Sequence, residues 1–318
     1  MKTETAHSLI KPPALKPGDT IGIVAPASPL ISPSYLERGI KRLEDWGFRV
    51  ALGRSLCAFI SEKDNQYLAG SDEERKIELE SMFASPEVKA IICLRGGYGS
   101  LRLLPRLNYE LFQANPKIFI GYSDITALHI ALTQRARLVT FHGPMIYPEL
   151  GGEPSPFTVS SLLTVLTGPP PSYTLYPLPG TPAFSITTGR ASGRLIGGNL
   201  SLLVSTLGTP FEIKTEGCIL FWEEVEEPLY RMDRLLTQLL LAGKLQAAAG
   251  IAIGECVSCG NLKEFRELLE DVLHPLGIPS FYGFPCGHGP NVATLPLGIQ
   301  VTLDASEGWL RLEELPVS

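Results

Sequence analysis

A serine set between an apolar run and a helix is the first residue able to do chemistry. Lys117-Ile-Phe-Ile-Gly-Tyr-Ser-Asp124 leads a β-like segment into a Gly-Tyr-Ser-Asp turn, and helical spacing begins at once. Such a turn lifts its central side chain off the sheet edge. It also aims the next backbone N–H groups at one point, at a helix N-terminus whose dipole favours negative charge. Ser123 is therefore a candidate nucleophile, with the Asp124 amide as one arm of an oxyanion hole. The turn meets the G-x-S-x-G elbow only in part, because Ile125 stands in the last position. Ser123 or Asp124 could equally cap the helix, and the turn alone does not separate the two.

A second turn, Arg95-Gly-Gly-Tyr-Gly-Ser100, follows another apolar run. Glycines after a parallel strand let backbone approach a ligand closely. One reading is phosphate binding in a nucleotide or flavin site, but the Lys-Ser/Thr of a P-loop and the G-x-G-x-x-G spacing are both missing. The other reading is that Gly96 or Gly97 donates an amide to an oxyanion beside Ser123. Both turns would lie at the carboxyl ends of strands in one sheet, so they can share a crevice.

A nucleophilic serine needs a base, and the five histidines are His7, His129, His142, His274 and His288. His7 is in a polar tail, His129 lies on another face of the helix after Ser123, and His274 follows a helix. His142 ends a strand in Phe-His-Gly-Pro and stays open as a candidate. His288, flanked by glycines in Phe284-Pro-Cys-Gly-His-Gly-Pro-Asn291, is the choice. The acid that orients it is sought in Leu220-Phe-Trp-Glu-Glu-Val-Glu-Glu-Pro228, an apolar strand running into four carboxylates. An acidic first turn of the following helix accounts for Glu226 and Glu227, and leaves Glu223 at the strand end unexplained. Paired carboxylates also suit glycoside hydrolysis or a hard cation. No His and carboxylate spacing completes a transition-metal site, and Cys256-x-x-Cys259 lacks a second ligand pair. No metal and no cofactor is expected.

The frame for these residues alternates strand and helix. Thr20 to Pro26, Arg49 to Leu52, Lys89 to Leu94, Lys117 to Gly121 and Leu138 to Phe141 read as strands. Ser32-Pro33 opens a helix with Leu36, Ile40, Leu43 and Trp46 at helical spacing, and Ser71 with Glu74 makes a capping box. This rhythm predicts a parallel sheet with helices on both faces. The prolines between 154 and 182 read as a helical exit and a linker. Beyond them, strands are expected at Cys218 to Trp222, Gly250 to Gly254 and Ile299 to Leu303. Helices are expected at Asn199 to Gly208, Pro228 to Gly243 and Leu262 to Leu273. Three parts follow: an N-terminal α/β nucleophile domain over 14–165, a linker over 166–186, and an α+β domain over 187–318 carrying the acid and base.

Composition narrows the function classes. The 318 residues are 44% hydrophobic and 19% charged, with mean hydropathy +0.14 and net charge −6. That is a core-forming chain, and its dispersed Lys and Arg argue against nucleic-acid binding. No run approaches the roughly 20 apolar residues of a membrane span, and the start of the chain lacks a secretory apolar core. A cytoplasmic address is expected. The six cysteines, Cys57 and Cys93 among them, read as reduced thiols.

With Ser123, Glu223 and His288 placed, the sequence resembles the LD-carboxypeptidase family, serine peptidases that include the microcin C immunity proteins. The stretches that carry it are Ile21-Gly-Ile-Val-Ala-Pro-Ala-Ser28, Arg95-Gly-Gly-Tyr-Gly99, Gly121-Tyr-Ser-Asp-Ile-Thr126 and Phe141-His-Gly-Pro144. They continue through Gly197-Gly-Asn-Leu200, Phe221-Trp-Glu-Glu-Val-Glu-Glu-Pro228, Gly283-Phe-Pro-Cys-Gly-His-Gly289 and Leu295-Pro-Leu-Gly298. They span nearly the whole chain in family order. Glu224 stands where the family commonly has Asp, and Trp222 where it commonly has an aliphatic residue.

The resemblance implies Ser123 as nucleophile, His288 as general base and Glu223 as the orienting acid, with the Gly97 and Asp124 amides as the oxyanion hole. It implies a flavodoxin-like N-terminal domain, akin to class I glutamine amidotransferases, beside a smaller β-rich C-terminal domain, in a homodimer. The implied activity is metal-free removal of the terminal D-alanine from murein tetrapeptide. Gly96, Asn199, Glu227 and Arg231 are expected to line the substrate pocket. Arg231 would meet a substrate carboxylate, or simply pair with Glu227 one helical turn away. The alternative within the family is an amidase acting on peptidyl or aminoacyl nucleotide conjugates, with Trp222 as the surface for a base. A flavin or nucleotide binder and a simple esterase are the rivals outside it.

Overall fold

The computed structural model describes residues 9–53, 56, 67–170 and 173–318; His7, Cys57 and Pro171 lie outside them. Buried apolar runs build the first sheet. Its parallel strands are β1 (Thr20–Val24), β2 (Arg49–Leu52), β3 (Val88–Cys93), β4 (Ile118–Gly121) and β5 (Thr140–His142), in the order β2-β1-β3-β4-β5. Every residue of β1 and β4 is buried, and β3 exposes only Lys89. Strands covered on both faces have no solvent side to alternate with, hence the continuous apolar runs.

The connecting helices start close to where their caps predict. Helix Asp72–Ala84 has both halves of its capping box: Glu74 N donates to Ser71 Oγ at 3.2 Å and Ser71 N to Glu74 Oε2 at 2.8 Å. Helix Pro33–Asp45 begins after Ser32, but that hydroxyl bonds Ser34 Oγ at 3.1 Å instead of a backbone amide. The start then rests on Pro33, whose fixed φ suits a first turn. After Ser123 the chain makes a 3₁₀ turn, Ser123–Ile125, before helix Thr126–Arg135, which is buried from Thr126 through Leu132.

The second half supplies β6 (Thr174–Leu175), β7 (Phe184–Thr187), β8 (Arg190–Asn199), β9 (Ile219–Val225), β10 (Gly250–Val257), β11 (Ser280–Tyr282), β12 (Leu295–Leu297), β13 (Gln300–Asp304) and β14 (Trp309–Leu312). All but β12 form an eight-stranded sheet, β6-β14-β13-β8-β9-β10-β11-β7. Its four central strands, β8 to β11, are parallel, because the segments with helices Leu200–Ser205, Leu229–Leu241 and Leu262–Leu273 each return the chain between neighbours. The outer strands are antiparallel. The architecture is thus mixed α/β, with a parallel sheet and a second sheet.

The two halves interlock. β12 pairs antiparallel with β5 at the edge of the first sheet, so a late segment completes an early one. Ile120 and Phe141 share one hydrophobic core with Leu195, Ile219 and Phe221. Thr126, fully buried behind Ser123, accepts the Asn199 amide on its hydroxyl at 2.9 Å. Thr126→Val keeps the shape and strands that buried N–H. The expected cost is about 1–3 kcal/mol, the penalty for an unsatisfied buried donor. It is read as a lower denaturation midpoint at unchanged slope.

Candidate active site

Ser123 follows β4 with φ +61°, a left-handed backbone rarely adopted by a residue other than glycine. That sharp turn separates the serine from the line of the strand and leaves it half-buried. The glycine turn after β3 lies directly against it. A Cβ on Gly96 would stand 2.8 Å from Ser123 Cβ, 3.0 Å from its Oγ and 3.2 Å from the Asp124 amide nitrogen. Gly97 has φ +102°, and a Cβ there would collide with the Ser28 side chain. Both positions require glycine, one for the close approach and one also for its backbone angle.

Side chains from three loops hold this arrangement. Ser28, after β1, donates to Tyr67 O at 2.8 Å and accepts the Tyr98 amide at 3.1 Å. Asp124 is buried, and its Oδ2 accepts the Ser100 amide at 2.8 Å while its carbonyl accepts the Ser100 hydroxyl. Burial pushes the Asp124 carboxyl up from the usual range, against the backbone hydrogen bonds that pull it down. The Asp124 side chain thus ties the two turns together, and its backbone amide sits at the elbow.

Across from these turns, Glu223 on β9 is fully buried and accepts His288 Nδ1 on Oε2 at 2.7 Å. Room for that contact comes from glycine. Gly287 has φ +112°, and a Cβ there would stand 2.6 Å from Glu223 Oε2. A Cβ on Gly254 would stand 3.0 Å from Glu223 Cβ. Burial alone would hold the His288 imidazole down. The hydrogen bond and charge of Glu223, helped by Glu224 and Glu149, outweigh it and raise the group above its ordinary 6.5. With Nδ1 donating to the carboxylate, Nε2 is the nitrogen left to accept a proton.

The two halves meet where the Tyr122 ring packs edge-on against His288, with centroids 4.9 Å apart. Tyr122 directly precedes Ser123 in the chain. Its hydroxyl donates to Glu149 Oε1 at 2.7 Å, and Glu149 Oε2 accepts the Met145 amide at 3.0 Å. Neither Tyr122 nor Glu149 was anticipated from sequence. Their pairing spans 27 residues and follows no local pattern.

The other histidines are placed differently. His129 Nε2 bonds Gly121 O at 2.8 Å, and burial lowers its pKa to about 4. His142, fully buried between Tyr122 and Phe221, has neither ring nitrogen partnered among the described residues. Burial pushes it well below its usual value. His274 Nδ1 lies 3.2 Å from Ile186 O. Cys256 and Cys259 are free thiols raised by burial. Among the described residues no three His, Cys, Asp or Glu side chains gather as a metal cluster.

The residues expected to line the pocket divide. Gly96 lies against the serine. Asn199 is buried as a helix cap: its Nδ2 donates to Glu224 Oε1 at 2.8 Å, and its Oδ1 accepts the Leu202 amide at 3.2 Å. Arg231 is 53% exposed and pairs with Glu227 at 3.4 Å, the helical i,i+4 pair.

Comparison with known proteins gives a consistent result. The sequence matches the description LD-carboxypeptidase N-terminal domain over residues 21–143 and LD-carboxypeptidase C-terminal domain over residues 192–303. A probable murein peptide carboxypeptidase of Bacillus subtilis (strain 168) is 42% identical over 304 residues, covering 93% of this chain and 92% of that protein. The solved structure of the microcin C7 self-immunity protein MccF, in its apo state, aligns with a TM-score of 0.88 at 30% identity, covering 97% of this chain and 100% of that one. That of muramoyltetrapeptide carboxypeptidase from Oxalobacter formigenes aligns at 0.81 and 30% identity, covering 94% and 100%.

Gly96→Ala tests the close approach. The methyl group must push Ser123 aside, so labelling of the serine by a fluorophosphonate probe should slow by roughly 10²-fold, the order of loss expected from a displacement of about 1 Å. The denaturation midpoint should change far less than the labelling rate.

Proposed function

The chain belongs to the LD-carboxypeptidase family, and from that premise we propose that it is a serine carboxypeptidase removing the terminal D-alanine of murein tetrapeptide. It cuts the bond between the L-centre of a diamino acid and D-alanine, in the recycling of cell-wall fragments. One observation carries the reading most: the Glu223–His288 contact packs against Tyr122, next in the chain to Ser123.

The chemistry is acyl transfer in two steps. His288 Nε2 takes the Ser123 proton as Oγ attacks the scissile carbonyl. The Gly97 and Asp124 amides receive the oxyanion, each donor contributing about 3 kcal/mol in comparable sites. His288 then gives its proton to the leaving D-alanine nitrogen, and water repeats the sequence to free the acyl-enzyme. Glu223 holds the imidazole in the productive tautomer and stabilises its charged form.

The first half is read as flavodoxin-like, akin to class I glutamine amidotransferases. In support, β2-β1-β3-β4-β5 is the 2-1-3-4-5 order of that doubly wound class, and its ligands bind at the carboxyl ends of the strands. The nucleophile domain over 14–165, the linker over 166–186 and the acid-and-base domain over 187–318 belong to the same proposal. So do a cytoplasmic address and a homodimer. Among the described residues no helix is long and apolar enough to cross a membrane.

The alternative, an amidase for aminoacyl or peptidyl nucleotide conjugates, needs an aromatic face for the base. Trp222 cannot offer one, being fully buried within the second half of the chain. Tyr67 and Tyr98, exposed and 5.6 Å apart beside the glycine turn, keep a nucleotide-conjugate assay in the comparison.

D-alanine release from L-Ala-γ-D-Glu-meso-diaminopimelyl-D-Ala, with a chelator present, tests the proposal. Wild type should release it and Ser123→Ala should not. No release by folded wild type, with turnover of an aminoacyl sulfamoyl adenosine, would transfer the assignment to the amidase. The pH profile has a definite sign. His288 must be neutral to act, so kcat/KM rises with pH through its raised pKa and falls below it. Glu223→Gln removes the charge that raises it, so the acidic limb should move to lower pH. The plateau should fall by about 10³–10⁴-fold, as for loss of the orienting carboxylate in other serine triads.

A further inference from the structure

We propose that Arg95 is the carboxylate-recognition residue of this site, its guanidinium taking the free C-terminal carboxylate of the residue to be released. This rests on the carboxypeptidase reading and adds the group that would confine the enzyme to chain ends. An exopeptidase must hold a terminal anion close to the scissile bond, and in a partly desolvated crevice the planar fork of arginine suits that best.

The candidate arginines are not equivalent. Arg231 is exposed and paired with Glu227. Arg75 is buried and spent on Asp72 and on the carbonyls of Pro26 and Gly99. Arg102 is bound to Asp72 through two hydrogen bonds. Arg95 is half-buried, and among the described residues no hydrogen bond or ion pair engages its guanidinium. Glu149, on the segment that Arg95 packs against, is already taken by the Tyr122 hydroxyl and the Met145 amide. Removing a cation from water without a partner is costly, and a bound anion would offset that cost.

Its position fits the reaction. Arg95 directly precedes Gly96, the residue against Ser123, and a Cβ on Gly97 would stand 3.7 Å from Arg95 Nη2. The guanidinium therefore runs alongside the backbone proposed to receive the oxyanion. Consecutive α-carbons are about 3.8 Å apart, so a carboxylate one residue beyond the scissile carbonyl falls within reach of that fork. The fork is also pre-set. Its carbon lies 5.3 Å from the Tyr147 ring centroid, and Tyr147 is fixed by its backbone N–H donating to Leu94 O at 2.8 Å and by the ring of Tyr35, edge-on at 4.7 Å between centroids.

The test compares kcat/KM for murein tetrapeptide as the free acid and as its C-terminal amide. Wild type should prefer the acid by roughly 10²-fold, in line with the loss of charge-assisted hydrogen bonds. Arg95→Gln, and Arg95→Met as a second neutral variant that still stacks on Tyr147, should bring that preference close to one. Fluorophosphonate labelling of Ser123 verifies that the variant site is intact. Equal use of acid and amide by wild type overturns the proposal without any variant. A preference that survives in both neutral variants, or one that collapses in Arg231→Gln instead, also overturns it. Turnover of neither substrate by wild type defeats the carboxypeptidase reading itself, so the two failures are distinct.

Discussion

A carboxylate with no solvent exposure, held 2.7 Å from an imidazole, is the interaction on which the second half of the molecule depends. A buried charge is tolerated only when something compensates it, and here the imidazole meets Glu223 Oε2 while Oε1 has no hydrogen-bond partner among the described residues. The structure meets this by geometry. β9 carries Glu223 inward, Gly287 and Gly254 clear space around it, and the Glu255 amide bonds Cys286 O at 2.9 Å to hold the histidine loop to β10. The neighbouring Glu224 is raised by burial and kept in place by Asn199, Ser201 and its own strand, so it braces the helix beside the strand end. Of the carboxylates crowded there, each buried one thus has a separate role.

The first half solves a different problem, the fixing of the backbone around Ser123. Backbone cannot be re-aimed by rotamers, and here side chains fasten the turns beside the serine. Arg75 reaches from its helix beneath both loops to the carbonyls of Pro26 and Gly99, and Asp72 fixes it from the side. Asp124 fastens the far end of the glycine turn through Ser100. Ser123 can then hold a left-handed backbone whose local cost of about 1–3 kcal/mol the surrounding bonds must outweigh.

Much of this was legible in the sequence wherever a local rule applied. The parallel strands read as apolar runs, the Ser71 capping box marked a helix, and the glycines flanking His288 singled it out among the histidines. What stayed hidden depended on contacts between distant segments. β8 reads poorly because Gly193, Gly197 and Gly198 weaken its pattern, yet a Cβ on Gly193 or Gly197 would collide with neighbouring backbone. β12 is three residues with a central proline, and only its place beside β5 makes it a strand. Arg231 had the right charge for a substrate anion, but its helix turn also offered Glu227, and that local partner prevailed.

The two solutions together give the crevice a polarity. Acidic groups gather around His288: Glu223 in contact, with Glu224 and Glu149 adding negative charge nearby. On the glycine side the half-buried Arg95 and a helix N-terminus behind Ser123 present positive potential. A substrate anion would therefore enter toward the glycine turn and away from the acids, since like charges in a low-dielectric crevice repel strongly. In the proposed reading that orientation would set the scissile bond over Ser123 with its leaving nitrogen toward His288, so the carboxylates that raise the imidazole would also steer the chain end.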